Sequence, residues 1–293
     1  MPMVLLVVAL FALVMTTLGG APVTSAARAA AADDGFTVMT FNIQHGMNAR
    51  GRYELQQAID LIARVSPDVA GLQETVRNHP KYECDDQPKR LAEGLTRATG
   101  QQWQSVYQQE WFTPDVSCKD RGTGDGKETE GLTVLSPHPI DKVAHTDLWN
   151  TRIGLAVRVG GFGRIPIVVS HLASGTKGAE DRHKQVGPLL AWAEGLGTPR
   201  VMMGDFNMAA DADELQPVLK NYRDAWRDAS ASSRARGVAS GSTRVGKEGR
   251  IDYVFFTDNP KLTLDWVETV DSAKLVGQAV SDHQPVLAHF TVH

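Results

Sequence analysis

Polar side chains that can bind a metal ion or move a proton recur beside apolar segments of this 293-residue chain. Asn42 lies between Phe41 and Ile43 in a strand-like run. A buried amide at such a position must be hydrogen-bonded or coordinated to an ion. Glu74 follows the apolar run that ends at Leu72. Asn42 and Glu74 are therefore the first candidate ligands.

Further candidates occur in the second half of the chain. His171 ends the run Val-Val-Ser-His, just after an apolar segment. The segment Gly-Asp-Phe-Asn places Asp205 and Asn207 two positions apart, so both point to the same side of an extended chain. The remaining candidates are Asp252, Asp282 and His283.

The donor atoms of these residues select a class of metal ion. Carboxylate and amide oxygens are hard ligands that suit Mg²⁺, Mn²⁺ or Ca²⁺. The few histidines and the lack of a thiol cluster argue against a zinc centre. An aspartate beside a histidine fixes its tautomer and raises its pKa, which suits acid or base catalysis. Singly, each residue also has a structural explanation in a turn or strand end, so only the combination predicts a catalytic metal site.

Short apolar segments must position these side chains. Segments rich in β-branched residues or bounded by Gly, Pro or Asp predict strands. Apolar residues at helical spacing predict helices over 55–63, 88–99, 183–193 and 213–219. Because strands outnumber helices, we expect two packed sheets with helices outside them in one continuous domain, not regular βαβ winding. The predicted strands are 37–43, 68–72, 103–107, 132–135, 153–159, 165–170, 200–204, 251–256, 262–267 and 286–292.

The first 32 residues differ from the rest of the chain. An unbroken apolar run over 4–15 precedes an Ala-rich stretch, and the first acidic residue is Asp33. The run is too short to span a bilayer, and small residues near Ala32 offer cleavage sites. These features predict a signal peptide over 1–32, a domain over 33–293 and a secreted protein. Because no Lys or Arg precedes the run, an uncleaved anchor is the alternative.

Cys84 and Cys118 are the two cysteines of the chain. In an oxidising compartment, two cysteines at this separation predict one disulfide rather than two free thiols. Closing a loop of this size stabilises a fold by about 3 to 4 kcal/mol in the chain-entropy description. Two cysteines without close spacing supply too few ligands for a zinc site.

The composition is that of a globular protein, with 42% hydrophobic and 22% charged residues. It excludes disordered, collagenous and multi-span membrane classes. The net charge of −4 argues against a globally basic surface for nucleic acid. The segment 229–250 is locally basic, and it is either a solvated loop or a loop that meets an anionic substrate. Its basic residues are Arg234, Arg236, Arg244, Lys247 and Arg250, against the single acid Glu248.

The order of these motifs resembles the endonuclease/exonuclease/phosphatase superfamily, which includes deoxyribonuclease I, exonuclease III and the neutral sphingomyelinases. The resemblance covers nearly all of 36–293. It implies a catalytic domain with a four-layered α/β sandwich, in which two mostly antiparallel sheets carry helices on their outer faces. The motifs that carry it are Asn42, Gln73-Glu74, His171, Gly204-Asp205-Phe206-Asn207, Asp252 and Ser281-Asp282-His283.

The resemblance also implies roles for these residues around a metal ion, which is expected to be Mg²⁺, or else Mn²⁺ or Ca²⁺. Asn42 and Glu74 would hold the ion. Asp282 would lie close to it or contribute to a second site. Asp252 would orient the imidazole of His283.

The remaining roles concern the phosphate and the attacking water. By resemblance, His171 and Asn207 contact the scissile phosphate, and Asp205 positions or deprotonates the water. Whether Asp205 or His283 accepts the proton stays open. The residues expected to bind substrate along the cleft are Arg152, Gln44 and His45.

We therefore expect a secreted, metal-dependent phosphoesterase that hydrolyses phosphodiester bonds by in-line attack of an activated water. Extracellular nucleic acid and phospholipid head groups stay open as substrates, with Trp111, Phe112 and Trp149 as candidate lipid contacts or core residues. A monomer without a stable protein partner is expected. The alternatives are a non-catalytic secreted binding protein that keeps the fold, or an intracellular-type DNA repair nuclease if no signal peptide is present.

Overall fold

A computed structural model describes residues 35–119, 125–175 and 177–293. The predicted signal peptide lies outside the described residues. Among those described, no helix has the length and apolar character needed to cross a membrane.

The described chain contains thirteen strands, six α-helices and three short 3-10 turns, which lie at 44–46, 80–82 and 213–215. The strands are β1 (Gly35–Asn42), β2 (Val69–Arg77), β3 (Gln104–Ser117), β4 (Lys127–Ser136), β5 (Ile140–Asp147), β6 (Ile153–Val159), β7 (Pro166–His171), β8 (Val201–Asp205), β9 (Arg223–Asp224), β10 (Ala235–Gly237), β11 (Asp252–Phe256), β12 (Leu262–Thr269) and β13 (Val286–Val292). The α-helices are α1 (Leu55–Val65), α2 (Gln87–Thr99), α3 (Gly178–Glu194), α4 (Gln216–Asn221), α5 (Ala225–Ser230) and α6 (Ser272–Val276).

The strands form two sheets. The first has the order β10-β12-β13-β1-β2-β4-β3, and the second has the order β5-β6-β7-β8-β11-β9. Neighbouring strands are antiparallel except for β1 with β2, β7 with β8, and β10 with β12. The expectation of two mostly antiparallel sheets is confirmed.

Strand β1 shows how the sequence produces layers. Phe36 and Val38 face the core between the two sheets, whereas Met39 and Phe41 face the core under α1 and α2. Because both faces of β1 pack against a core, its apolar residues point to both faces and do not alternate with polar ones. Helices α3 and α4 cover the outer face of the second sheet. The resulting order of helix, sheet, sheet and helix confirms the four-layered sandwich.

Most sequence-predicted elements are present, and two strands, β6 and β13, match at both ends. Helix α2 begins where Asp86 accepts a hydrogen bond from Lys89 N and ends at Gly100, which has a φ of 74°. The sequence analysis missed β5, β9, β10, α5 and α6. Strand β5 lies at the edge of its sheet and carries polar residues, and the other four are too short for a periodic signal.

Strand direction brings the candidate residues to one end of the sandwich. Asn42 is the last residue of β1, and β13, which is antiparallel to β1, begins just after His283. In the second sheet, Asp205 is paired with both His171 and Asp252. The two sheets therefore present their functional side chains at the same edge.

The disulfide between Cys84 and Cys118 is present, as predicted, with a Cα–Cα distance of 5.7 Å. It links the turn after β2 to the residue that follows β3. Strand β3 and the turn therefore remain joined beside the edge that carries the candidate residues.

Candidate active site

Asn42 joins the two sheets at the centre of this edge. Its side chain is buried, and its Nδ2 donates to Glu74 Oε1 at 3.0 Å and to Asp205 Oδ2 at 3.1 Å. Its Oδ1 accepts a hydrogen bond from Gln44 N at 3.0 Å. Two carboxylates from different sheets thus converge on one amide nitrogen.

Glu74 lies within β2, and not after it as the sequence analysis expected. The pairing with β4 shifts register between Leu72 and Thr75, and Glu74 has a φ of 54°. Such a bulge turns a side chain away from the regular alternation of the strand. Glu74 Oε2 lies 3.6 Å from His45 Nε2. The bulge is therefore the local feature that points this carboxylate toward Asn42.

Asp252 and His283 form a buried pair. His283 Nδ1 lies 2.9 Å from Asp252 Oδ2, and its Nε2 lies 3.8 Å from Asp205 Oδ2. Burial lowers the pKa of His283, but the negative charge of Asp252, with smaller effects of Asp205 and Asp282, outweighs it and raises the pKa to about 10. The structure brings together the aspartate and histidine that the motifs singled out. At neutral pH the His283 ring is protonated on both nitrogens and carries a positive charge.

Asp205 lies between two imidazoles. Its Oδ2 is 3.6 Å from His171 Nε2, and its Oδ1 accepts a hydrogen bond from Asn207 N at 2.9 Å. Burial and the neighbouring charge of Asp252 raise its pKa to about 7. This carboxyl can therefore exchange a proton near neutral pH, as general acid or base catalysis requires.

Both nitrogens of the His171 ring face hydrogen-bond donors. Arg152 Nη1 lies 3.0 Å from Nδ1, and Asn207 Nδ2 lies 3.2 Å from Nε2. Asn207 Nδ2 also donates to Leu172 O at 3.0 Å. Burial and the charge of Arg152 lower the pKa of His171 well below its ordinary value. The two histidines of the site thus differ in charge at neutral pH.

Arg152, which was expected to bind substrate, lines a cavity beside the site and also forms an ion pair with a buried acid. Its Nη1 lies 3.3 Å from Glu110 Oε2, and its side chain is 15% exposed. The remaining oxygen of Glu110, Oε1, is buried and has no hydrogen-bond partner in the part of the chain that the structure describes. Burial raises the pKa of Glu110 to about 8, although Arg152 opposes this shift. Arg152 therefore connects a buried acid to His171.

Glu110 and Glu130 are the residues that sequence reasoning missed. Glu130 Oε2 lies 2.8 Å from His45 Nε2, and although burial lowers the pKa of His45, its contact with Glu130 outweighs this and raises it. The alternation along β4 could have revealed Glu130, because it shares a strand face with Leu132 and Val134 of the inter-sheet core. No comparable signal marks Glu110, which lies at a register shift in β3.

Gln44 and Asp282 lie at the border of the site. The side-chain Oε1 of Gln44 is buried and has no hydrogen-bond partner among the described residues. Asp282 is exposed, and its Oδ1 accepts a hydrogen bond from Ser281 Oγ at 3.3 Å. Ser281 Oγ lies 2.8 Å from Asn42 O, which places Asp282 close to the Asn42 end of the site.

A cavity of about 240 Å³ adjoins the site on the side of Arg152. Its walls are formed by side chains that can contact a polar substrate, including Trp111, Glu130, Asn150, Arg152 and Ser174. The cavity therefore extends the candidate site beyond the two histidines.

The donor set around Asn42 fits a divalent cation. Neither Glu74 nor Asp205 contacts a lysine or arginine in the ranges that the structure describes. The basic groups beside these carboxylates are imidazoles, that of His45 at Glu74 and those of His171 and His283 at Asp205. The carboxylate oxygens are the hard ligands that such ions prefer. Asn42 turns its Nδ2 toward the carboxylates, and its Oδ1 accepts from Gln44 N. To bind an ion beside the carboxylates, the amide would present its oxygen there instead.

The fold and the site together define a class of hydrolase that matches a known family. Residues 39–283 match the profile of the Endonuclease/Exonuclease/phosphatase family, and the chain belongs to it. The resemblance inferred from the motifs is confirmed. Members of this family are hydrolases that act on phosphodiesters, and they typically use a divalent metal ion.

Solved structures share this fold at low sequence identity. An endonuclease/exonuclease/phosphatase from Beutenbergia cavernae is 24% identical, with a TM-score of 0.67, over 88% of this chain and 72% of that one. The catalytic domain of human Nocturnin with bound sulfate is 19% identical, with a TM-score of 0.64, over 88% and 94%. A humanized TDP2 of D. rerio is 17% identical, with a TM-score of 0.61, over 88% and 99%. A comparison with curated proteins gave no match.

Proposed function

We propose that this protein is a secreted phosphodiesterase that depends on a divalent metal ion. The observation that carries the proposal is the position of Asp205, which lies between the imidazoles of His171 and His283 and beside the Asn42–Glu74 pair. A phosphodiester needs its anionic oxygens neutralised and a water molecule held for attack. The polar groups at this edge match those needs.

The metal would be held by Asn42 and Glu74, with Asp282 close by. When bound, a divalent ion supplies positive charge to the phosphate and to the leaving oxygen. Mg²⁺, Mn²⁺ and Ca²⁺ all suit these oxygen donors. The choice between one ion and two depends on whether Asp282 contributes a ligand.

Asp205 is the better candidate for the general base. Its pKa of about 7 makes the carboxylate available near neutral pH, whereas the pKa of His283 of about 10 keeps the imidazole protonated. An in-line displacement places the attacking and leaving oxygens on opposite sides of phosphorus. Because Asp205 Oδ2 and His283 Nε2 lie 3.8 Å apart, both groups would act on the same side of the phosphorus atom. In this arrangement Asp205 accepts the proton of the water, and His283 donates a hydrogen bond to the forming phosphate or to Asp205.

His171 and Asn207 suit the phosphate itself. Asn207 Nδ2 now faces the ring nitrogen of His171, and an incoming phosphate oxygen would offer this donor a charged acceptor. Arg152 holds the other side of the ring. The contact fixes the orientation of His171 without requiring the ring to carry a charge.

The alternative of a non-catalytic binding protein predicts at least one lost ligand or dyad member. Asn42, Glu74, Asp205, Asp252 and His283 are all present and form a continuous chain of contacts. This continuity favours the enzyme.

The proposal of secretion rests on the sequence of 1–32 and on the disulfide, because disulfides persist in oxidising compartments. An intracellular repair nuclease would be expected to keep its thiols reduced. A monomer without a stable protein partner remains part of the proposal.

Exposed aromatic residues give only weak support to a phospholipid substrate. Phe112 and Trp149 are more than half exposed. The Trp149 ring, however, lies against α3, because its Nε1 donates to Asp181 and Lys184 Nζ lies 4.7 Å from the ring centroid. Trp111 lines the cavity beside Arg152.

Metal dependence tests the proposal directly. We expect hydrolysis of bis-p-nitrophenyl phosphate to stop after exhaustive EDTA treatment and to return with Mg²⁺, Mn²⁺ or Ca²⁺. Glu74→Gln should raise the metal concentration needed for half-maximal activity by at least tenfold, because a charged ligand is lost. Full activity in EDTA would contradict the metal assignment, and unchanged metal dependence of Glu74→Gln would place the ion elsewhere.

A further inference from the structure

The basic residues of the segment 229–250 fall into two groups, those whose charged ends have partners in the fold and those whose charged ends do not. Arg234 Nη1 donates to Leu264 O, the Arg236 guanidinium lies 5.0 Å from the Trp266 ring centroid, and Arg250 Nη1 lies 2.7 Å from Asp224 Oδ2. These three cations are engaged in the fold. The charged ends of Arg244 and Lys247 have no hydrogen-bond, ion-pair or ring partner among the described residues.

The loop that carries these two cations, residues 241–249, is attached to the catalytic dyad. Gln284 N donates to Thr243 O at 2.7 Å, and Val245 N donates to Asp282 O at 2.9 Å. Thr243 Oγ1 accepts a hydrogen bond from the backbone N of Asp252 at 3.2 Å. The loop is therefore fixed to both strand segments that supply the dyad.

The pairing also sets the direction of the Arg244 side chain. Arg244 and His283 form an antiparallel bridge. Residues directly opposite each other in such a pair project their side chains to the same side. The His283 imidazole points toward Asp252 and Asp205, so the Arg244 side chain leaves the backbone on the side of the site.

We propose that Arg244 and Lys247 bind a phosphate next to the scissile one, so that the 241–249 loop holds a nucleic-acid strand across the site. This inference rests on the proposed phosphodiesterase function. Lysine and arginine contacts to phosphates give affinity without sequence preference. Because the whole chain carries a net charge of −4, attraction of a polyanion depends on such a local group.

The composition of the loop favours a nucleic acid over a membrane surface. Its only large apolar residue is Val245. Membrane-binding segments present aromatic or bulky apolar residues to the lipid. The exposed large hydrophobic residues of the described chain lie outside the loop, at Phe112, Val143 and Trp149.

The test compares Arg244→Gln and Lys247→Gln with Lys261→Gln. Lys261 is exposed and precedes β12, whose first residue pairs with the last residue of β13 at the end far from the site. It therefore controls for the loss of one positive charge. The melting temperature of each variant confirms that the fold is kept.

Binding is measured first, by fluorescence anisotropy of a labelled single-stranded oligonucleotide in EDTA. Each loop variant should weaken binding about fivefold to tenfold at low salt and make the slope of log K against log salt shallower by about 0.7. Lys261→Gln should change neither. Equal behaviour of the loop variants and Lys261→Gln would overturn the inference.

Turnover with metal then separates the inference from the proposed function. For each loop variant, the loss in kcat/KM on the oligonucleotide should exceed the loss on bis-p-nitrophenyl phosphate by at least fivefold. Absence of hydrolysis in the wild type would overturn the proposed function, while the anisotropy result would still decide the role of the loop. Two results together would overturn the nucleic-acid assignment. The wild type would cleave phosphatidylcholine or sphingomyelin vesicles in preference to the oligonucleotide, and each loop variant would lose kcat/KM equally on the oligonucleotide and on bis-p-nitrophenyl phosphate.

Discussion

At the scale of single residues, the site keeps its two histidines in different protonation states. His283 faces carboxylates and His171 faces the donors Arg152 and Asn207. The carboxylates give the His283 ring its positive charge, and burial with the charge of Arg152 keeps the His171 ring neutral. The difference gives one imidazole a positive charge for an anionic phosphate and leaves the other neutral.

The Asp252–His283 pair should behave as one unit. His283→Ala is expected to lower turnover by about 10² to 10⁴-fold, as typical for a lost acid–base group, and Asp252→Asn by a comparable factor. The double variant should be little worse than either single variant, because groups that act together are strongly non-additive. The measurement is kcat on bis-p-nitrophenyl phosphate, with melting curves in parallel. Multiplicative losses in kcat, or a large fall in melting temperature, would contradict the dyad.

Glu110 should make stability depend on pH. Its pKa is about 8 in the folded protein, above its ordinary value of 4.5, so between these values the unfolded chain loses a proton that the folded chain retains. The free energy of unfolding should therefore fall as pH rises through this window. Glu110→Gln removes this titration. The difference in free energy of unfolding between wild type and variant, measured with urea at several pH values, should shift in favour of the variant from pH 5 to 8.

Other titrating groups are shared by the wild type and Glu110→Gln, so they largely cancel in that difference. A difference that stays constant with pH would show that Glu110 is ionised at all pH values tested. In that case the charge of Arg152 would outweigh the effect of burial on the pKa of Glu110.

At the scale of elements, two local departures from regular strands produce the geometry of the site. The bulge in β2 turns Glu74, and Gly204 lets β8 approach β7 one residue before Asp205. A Cβ on Gly204 would lie 1.9 Å from Ser170 O, and its φ is 154°. Glycine is required there because a backbone atom cannot move as a flexible side chain can.

Gly204→Ala should therefore destabilise the fold by about 2 to 4 kcal/mol and reduce activity through displacement of Asp205. Gly195→Ala is the matched control. Gly195 follows α3 with a φ of −63° and a ψ of −14°, which alanine adopts readily, and its Cβ would meet Trp192 O at an ordinary 3.4 Å. Alanine there should be neutral or stabilising by up to about 1 kcal/mol. Urea unfolding of both variants checks the prediction. Similar stability of the two variants would show that β7 and β8 can separate at little cost.

At the scale of the whole molecule, the disulfide holds a long segment beside the site. The segment between Cys84 and Cys118 includes α2 and β3, and β3 carries Glu110. Loss of the disulfide would release the turn at Cys84 from the end of β3 without removing any residue of the proposed metal site. The stability that the disulfide gives the fold is therefore available only in an oxidising compartment, such as the proposed site of action outside the cell.

The exported protein should contain this bond and lack the first 32 residues. Mass spectrometry of the unreduced mature chain should find it two hydrogens lighter than the reduced form, with an N-terminus near Asp33. Cys84→Ser with Cys118→Ser should lower the free energy of unfolding by about 3 to 4 kcal/mol. Two thiols that react freely with alkylating agents would argue against an oxidising compartment.

The sequence by itself determined the family, the layer architecture and most of the residues that meet at the edge of the two sheets. Asn42, Asp205 and Asp252 are recognisable because each is a polar residue at the end of an apolar strand, and that signal is local. Strand ends need little long-range information, since chain direction alone brings neighbouring ends to one edge. Predicting the disulfide required no long-range information, because the chain has only two cysteines.

Only the tertiary structure decided which charges meet. Arg152 turns toward Glu110 because of the registers of β3 and β6. Asp224 and Trp266 engage two cations of the basic segment and leave Arg244 and Lys247 without a partner among the described residues. Such contacts depend on pairing between residues far apart in the chain. A shift of one residue in a strand reverses the face of every side chain, so local composition cannot specify these partners.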